Sequence, residues 1–529
     1  ATSIVATSAD TIQSKAGVAV TLTGANNQVT ANSATSVIGS ELLSAGGAKL
    51  ATISQSVNSL TVPGNVTNID GASENVTLNG EAPSGGAPSG LPDVITMTEN
   101  ENGSLTIVNN SDNTTKFKSA TFEYLSYWYQ RGVDIDGEAS SDYSGQSTAI
   151  SSDGSVVAIG APFNDPDGKS MAGHVRVLEW NGSAWVQRGD DIDGESAGDY
   201  LGWSVALSSD GSVVAIGAKR DDGNGSNSGH VRVFKWNGSA WVQRGDDFDG
   251  EAAGDESGQS VALSSDGSVV AIGAPKNDAN GSSSGHVRVF KWNDSAWVQR
   301  GDDIYGEAAG DQSGWTVAMS SDGSVVAIGA PFNDANGTSS GHVRVYGWDG
   351  SAWVQRGDDF DGEYDRDYSG WTVAMSSDGS VVAIGASLND PDGKSMAGHV
   401  RVYQWNDSAW VQRGDDIDGE AAGDGLGQSV AMSNDGSLIT IGAHKTDGNG
   451  TDSGYVRLFE WNGSAWVQRG DDIHGEAAGD ESGQSVAMSS DGSVVAIGVK
   501  LNDGAGTDAG HVRVFEFVEK YVASNPVYF

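Results

Sequence analysis

The residues best suited to chemistry in this chain are carboxylates, and they recur. A segment such as Gly189-Asp190-Asp191-Ile192-Asp193-Gly194-Glu195 returns along the sequence with a Gly-Glu-x-x-x-Asp core: Glu138/Asp142, Glu195/Asp199, Glu251/Asp255, Glu307/Asp311, Glu363/Asp367, Glu420/Asp424 and Glu476/Asp480. Clustered carboxylates and turn carbonyls are the hard oxygen donors that calcium takes. The expected calcium ligands are Asp190, Asp191, Asp193, Glu195 and Asp199 in one copy, and Asp246, Asp247, Asp249, Glu251 and Asp255 in the next. The Asp before Gly-Glu becomes Tyr305 in one copy and His474 in another, so a site that needs it is incomplete there. The competing reading is turn chemistry with a solvated acidic face.

Paired carboxylates also suit glycoside hydrolysis, which needs one acid and one base with separated pKa values. Near-identical loops give a symmetric array with no singular pocket, so no enzyme is expected, and a carbohydrate-active enzyme stands as a second alternative. Six of the eight histidines share one slot, His174, His230, His286, His342, His399 and His511, where the remaining copy has Tyr455. A slot that accepts Tyr reads as a packing or hydrogen-bonding position. The Arg two residues on (Arg176, Arg232, Arg288 and equivalents) is expected to pair with a loop carboxylate of the neighbouring repeat. Asn-x-Ser/Thr acceptors for glycosylation include Asn181, Asn224, Asn237, Asn280, Asn293, Asn336, Asn406, Asn449 and Asn462, all placed on exposed loops.

The elements that carry these residues follow from a repeat. Ser-x-Asp-Gly-Ser recurs with its Asp at Asp153, Asp210, Asp266, Asp322, Asp378, Asp435 and Asp491, spaced 57, 56, 56, 56, 57 and 56 residues. Each unit reads as four short strands. In the copy that opens at Gly258 these are Gln259–Leu263, a tight turn at Ser264-Ser265-Asp266-Gly267, Ser268–Ala274, His286–Trp292 and Trp297–Gly301. Six units carry Trp-x-x-x-x-Trp, which sets two indoles across the last hairpin. Four strands in each of seven units predict an all-β, seven-bladed β-propeller. Trp128–Gly132 is a lone fourth strand, expected to complete the seventh blade and close the ring.

Leu201-Gly202-Trp203-Ser204-Val205-Ala206, Val326-Ala327-Ile328-Gly329-Ala330-Pro331 and Gly341-His342-Val343-Arg344-Val345-Tyr346 resemble the FG-GAP repeat of integrin α-subunit propellers. The resemblance covers residues 126–517 and implies a seven-bladed ring with the same strand order. The family's Phe-Gly has lost its Phe to Ser or Leu, and Gly-Ala-Pro survives at Gly160–Pro162, Gly273–Pro275 and Gly329–Pro331. The family's calcium loop between the first and second strands is here only Ser-Ser-Asp-Gly, too short to supply six oxygens, so those metal sites are not carried over. The same turn faintly resembles the Asp-box of sialidase propellers, without its following Thr-Trp.

Composition sets outer bounds. A net charge of −42 excludes a nucleic-acid binder that works through a basic surface, and the absence of Cys excludes disulfides and thiolate metal sites. No apolar run is long enough for a membrane span. The chain opens at Ala1 without the pattern of a signal peptide, which is expected to have been removed or never present. Residues 1–116 lack Phe, Tyr and Trp, too little for a private core. The expected organisation is a β-rich assembly or anchoring module at 1–80, a Gly/Pro/Ser linker at 81–92, a hairpin connector at 93–125, the propeller at 126–517 and a tail at 518–529. The resulting expectation is a non-enzymatic, extracellular or surface structural and adhesion protein. It self-associates through residues 1–80 into a filament, fibre or virion-type assembly; the alternative is a monomeric, calcium-dependent adhesin that binds a glycan or protein on its acidic face.

Overall fold

The computed structural model describes residues 126–519. The assembly module, linker and connector expected over residues 1–125 lie outside the described residues, as does most of the tail. The described part forms a compact unit, Trp128–Glu516. It is built of β-strands, with two single 3-10 turns at Pro166–Gly168 and Pro391–Gly393.

Seven blades, numbered here in chain order, surround a central axis as the sequence repeat requires. Blade 3 shows the plan: Ser260–Leu263, Val269–Ala274, His286–Trp292 and Trp297–Gln299 hydrogen-bond in that order, all antiparallel. Register pairs Ser260 with Gly273, Ala274 with His286, and Trp292 with Trp297. Every residue of Val269–Ala274 is buried, because adjacent blades cover both faces of the sheet. That is why this strand is a continuous β-branched and apolar run and not an alternating one.

The outer strand differs from the expectation. It stops at Gln299, and after Gly301-Asp302-Asp303 the chain returns to the same third strand as Ile304–Tyr305, pairing Val287 with Ile304 and His286 with Tyr305. Gly301 forces the break. Its φ is +82°, and a Cβ there would lie 2.7 Å from Cζ3 of Trp348 in the next blade, so only glycine fits. The bend is followed by a carboxylate pair in six blades, whereas blade 7 has Val133-Asp134 there.

Three devices hold neighbouring blades together. The Trp292 and Trp297 rings sit 5.4 Å apart, Trp297 Nε1 donates to the Arg244 carbonyl of the preceding blade at 2.6 Å, and the Arg244 guanidinium lies 4.8 Å over Trp292. Nearer the axis, the glycine of Ala-Ile-Gly-Ala is required by contact: a Cβ on Gly273 would stand 2.0 Å from the Gly314 carbonyl oxygen of blade 4. The same oxygen accepts Ser260 Oγ at 2.9 Å.

The third device is a circle. Within each Ser-x-Asp-Gly-Ser turn, as in blade 3, Ser264 Oγ donates to Asp266 and accepts from the Val269 amide, which fixes the turn. The residue after that first Ser then bonds to its counterpart in the next blade. Ser152 donates to Ser209, Ser209 to Ser265, Ser265 to Ser321, Ser321 to Ser377, Ser377 to Asn434, Asn434 to Ser490 and Ser490 back to Ser152, each N···O distance 2.8 or 2.9 Å.

Ring closure follows the expected strand exchange. Blade 7 consists of Ser485–Met488, Val494–Val499, the strand beginning at His511 and the strand ending at Gln130, in that order. Arg131 N–H donates to the Val514 carbonyl at 2.7 Å, and Ser485 Oγ donates to the Gly145 carbonyl of blade 1 at 2.8 Å. Val157 and Ile159 of blade 1 share one core cluster with Val494, Ala496 and Val512 of blade 7.

Candidate functional site: the loop face and the mouth of the central channel

The loops from second to third strand and from fourth strand to next blade meet on one face. Gly285 bridges Ser313 across the blade 3–blade 4 junction, and Asn280 Nδ2 donates to the Gly306 carbonyl at 2.8 Å. The recurring carboxylates therefore share one face, and each junction sorts them.

The Arg–carboxylate pairs expected between blades are present at every junction. Arg232 Nη1 stands 3.1 Å from Glu195, Arg344 3.5 Å from Glu307, and Arg457 2.9 Å from Glu420. Arg176, Arg288, Arg401 and Arg513 lie 3.7–3.9 Å from Glu138, Glu251, Glu363 and Glu476. Most of these arginines also donate to a backbone carbonyl of the preceding blade, as Arg232 does to Asp193 at 2.7 Å and Arg288 to Asp249 at 2.6 Å.

The ten carboxylates expected to hold calcium are distributed among several tasks. Asp199 and Asp255 are buried, and each caps its own loop by accepting a backbone N–H, from Ser196 at 2.7 Å and Ala252 at 2.9 Å. Asp191 and Asp247 each accept the amide of a Gln on their own outer strand at 2.6 Å. Glu195 and Glu251 face Arg232 and Arg288, while Asp190, Asp193, Asp246 and Asp249 are exposed, Asp249 near Asp221 and His230.

What the structure adds is histidine. His174 Nδ1 lies 4.0 Å from Glu138 and 3.9 Å from Asp191; His286 Nδ1 lies 3.8 Å from Glu251 and 3.7 Å from Asp303; His342 Nδ1 lies 3.9 Å from Glu307 and 3.8 Å from Asp359. These rings are buried, and burial holds all three near a pKa of about 4, so they are neutral at pH 7. Burial also raises the pKa of Glu138 and Glu251, with Arg176 and Arg288 opposing and neighbouring carboxylates adding to the rise. His230 of blade 2 differs, because its Nδ1 reaches Asp221 at 3.2 Å.

At the centre of the same face, the first strands of all seven blades line a cavity of about 980 Å³. Ring closure brings together seven positions that each look ordinary in their own copy. The residue after the Gly that opens each first strand is Gln146, Trp203, Gln259, Trp315, Trp371, Gln428 or Gln484, and all seven line this cavity half-buried. Trp315 and Trp371 rings are 5.0 Å apart. Lys219 Nζ sits 3.1 Å from the Trp203 ring centroid and 3.1 Å from Gln259 Oε1, and burial lowers its pKa to about 7. On the far wall are Lys445, Lys500 and His444, whose pKa burial lowers to about 3 and whose Nδ1 has no hydrogen-bond partner. The sequence signal for this site is the residue after each first-strand Gly, which is always Gln or Trp.

All nine glycosylation candidates are exposed, but they divide by the use of the amide. Asn224, Asn280, Asn336 and Asn449 donate Nδ2 to a Gly carbonyl of the adjoining blade-to-blade loop at 2.8–3.1 Å. Asn181, Asn237, Asn293, Asn406 and Asn462 use Oδ1 to accept the N–H two residues on, in the hairpin turn.

Seven four-stranded blades in a closed ring define a β-propeller. The family model for the FG-GAP repeat matches residues 192–234, 249–290, 306–346 and 417–459, so the chain carries FG-GAP repeats over residues 192–459 of its seven-bladed propeller. Propellers of this family are common in surface and extracellular proteins, and their repeats often bind calcium. No curated protein matches the chain.

Proposed function

We propose that the chain is a non-enzymatic surface or extracellular adhesion protein whose propeller binds a glycan at the mouth of its central channel. The observation that carries this reading is the set of half-buried Trp203, Trp315 and Trp371 interleaved with Gln146, Gln259, Gln428 and Gln484 around one cavity. Indole faces stack on the C–H faces of a pyranose, and primary amides both donate to and accept from its hydroxyls. A pocket with a few convergent polar groups and an aromatic wall is the usual form of a small-ligand site. The surrounding loops are rich in carboxylates, which favours neutral over anionic glycans.

The test is a glycan panel against the full-length protein, read by tryptophan fluorescence. Binding by a neutral oligosaccharide, weakened at least about tenfold in Trp315→Ala/Trp371→Ala with an unchanged far-UV spectrum, supports the reading. Absence of any binder, or binding unchanged in the double variant, overturns it. Self-association through residues 1–80 is the second part of the proposal. It is motivated by the lack of aromatics there, and electron microscopy of the full chain beside one that starts at Ser126 tests it. Equal particle size in the two sinks that part alone.

A further inference from the structure

The His–carboxylate junctions differ from one blade to the next, and the difference points to a bound cation. In blade 6 the histidine slot holds Tyr455, and there the arginine bridges the carboxylates itself. Arg457 Nε and Nη2 each donate to Asp472 at 2.7 Å, and Nη1 reaches Glu420 at 2.9 Å. The equivalent arginine of blade 3, Arg288, sends Nη2 to the Asp249 carbonyl and stays 3.9 Å from Glu251. The space between Glu251 and Asp303, filled by a guanidinium in blade 6, is faced in blade 3 by the imidazole of His286.

His286 is 1% exposed, and neither Nδ1 nor Nε2 has a hydrogen-bond partner. His342 in blade 4 is the same in both respects. A buried ring nitrogen left without a partner is costly in a folded protein. The 3.7 and 3.8 Å from His286 Nδ1 to the two carboxylate oxygens are too long for hydrogen bonds. They come within a few tenths of an ångström of the separation, about 3.4–3.6 Å, between two ligands of one zinc-sized ion with metal–ligand bonds of about 2.1 Å. The three ligand atoms lie within 4.8 Å of one another.

Blade 3 also supplies the supports that orient a metal ligand. Asp303 Oδ1 accepts Gln299 Nε2 at 2.6 Å, and its Oδ2 accepts the Tyr305 hydroxyl at 3.1 Å. Tyr305 replaces the Asp found here in five blades, and Asp303 is 10% exposed where its counterpart Asp359 is 26% exposed. The Glu251 side chain is 45% exposed and leaves a route for an ion and for water as a further ligand.

We propose that His286 Nδ1, Glu251 and Asp303 bind a divalent transition metal of the zinc class, and that His342, Glu307 and Asp359 bind a second. One nitrogen with two carboxylates is a donor set for zinc-like ions, whereas calcium takes six or more oxygens. The site is independent of glycan binding at the channel mouth, so either reading can fail alone.

The test strips the full-length protein with chelator and dialyses it against Zn²⁺ or Co²⁺. Metal per chain is measured by mass spectrometry, and the visible Co²⁺ spectrum reports nitrogen ligation. The expected result is bound metal with a ligand-field band, two fewer ions per chain in His286→Gln/His342→Gln, and about tenfold weaker Zn²⁺ binding at one site in Tyr305→Phe. Asp303→Asn, expected to lose one ion, serves if the double variant does not fold. No bound Zn²⁺ or Co²⁺, unchanged stoichiometry in the variants, or uptake of Ca²⁺ alone would overturn the proposal.

Discussion

Gly273→Ala isolates the closest approach between blades. The added Cβ would sit 2.0 Å from the Gly314 carbonyl oxygen and 2.5 Å from Ser260 Oγ, while the glycine has no left-handed φ to complicate the outcome. Real carbon–oxygen contacts need more than 3 Å, so blades 3 and 4 must part by roughly 1 Å at this point. Overpacking of that kind costs about 1–3 kcal/mol, and the Ser260–Gly314 hydrogen bond adds about 1 kcal/mol if it is lost. The expected destabilisation is about 2–4 kcal/mol. Gly347→Ala is the matched control, since that strand glycine has nothing within 4 Å of its would-be Cβ. It is expected to be neutral or stabilising by up to about 1 kcal/mol. Urea unfolding of the two variants beside the wild type decides it. A Gly273→Ala protein within about 0.5 kcal/mol of Gly347→Ala would refute the claim that carbonyl contact sets the spacing of the blades.

Acid should weaken the ring early. His174, His286 and His342 titrate near 4 in the folded chain against 6.5 ordinarily, so the unfolded chain binds more protons between those values, and stability falls as pH drops from 6.5 to 4 and is unaffected by these groups above it. Urea midpoints of metal-free protein across that window check this, and a flat profile contradicts it. Ser313→Ala removes a buried hydroxyl without a hydrogen-bond partner, and should be neutral or stabilising by up to about 1 kcal/mol in the same unfolding assay. Expression in a glycosylating host should place sugar on Asn181, Asn237, Asn293, Asn406 or Asn462 in preference to Asn224, Asn280, Asn336 and Asn449, whose Nδ2 holds a neighbouring loop. Peptide mapping reads the occupancy, and equal occupancy of the two groups would show that those loop bonds are weak.

Blade number, strand order and ring closure were legible because each is written locally and then repeated: a turn every 56 or 57 residues, a Trp pair across a four-residue loop, and an orphan Trp128–Gly132 strand. The Arg–Glu pairs were legible for the same reason. The broken outer strand was not, since Trp297–Gly301 looks continuous until the Trp348 ring of the next blade is seen against Gly301. The histidine environment was hidden by distance along the chain: His286 meets Glu251 thirty-five residues before it and Asp303 seventeen after it, across a blade boundary. The channel mouth was hidden more deeply, because Trp203, Trp315 and Trp371 come from three different blades and share a wall only once the circle is shut.

The circle of turn-to-turn bonds gives the propeller a direction. Its seven amides all point the same way around the axis, and each is consumed by the next carbonyl, the last by the first. A helix leaves unspent donors at one end and acceptors at the other, whereas this closed loop has no terminus at all. Those backbone groups therefore present nothing to an arriving solute, and what the turns offer instead is a ring of seven exposed carboxylates, Asp153, Asp210, Asp266, Asp322, Asp378, Asp435 and Asp491. The two ends of the wheel thus differ in kind: one carries amides and indoles, the other carboxylates over a closed backbone loop.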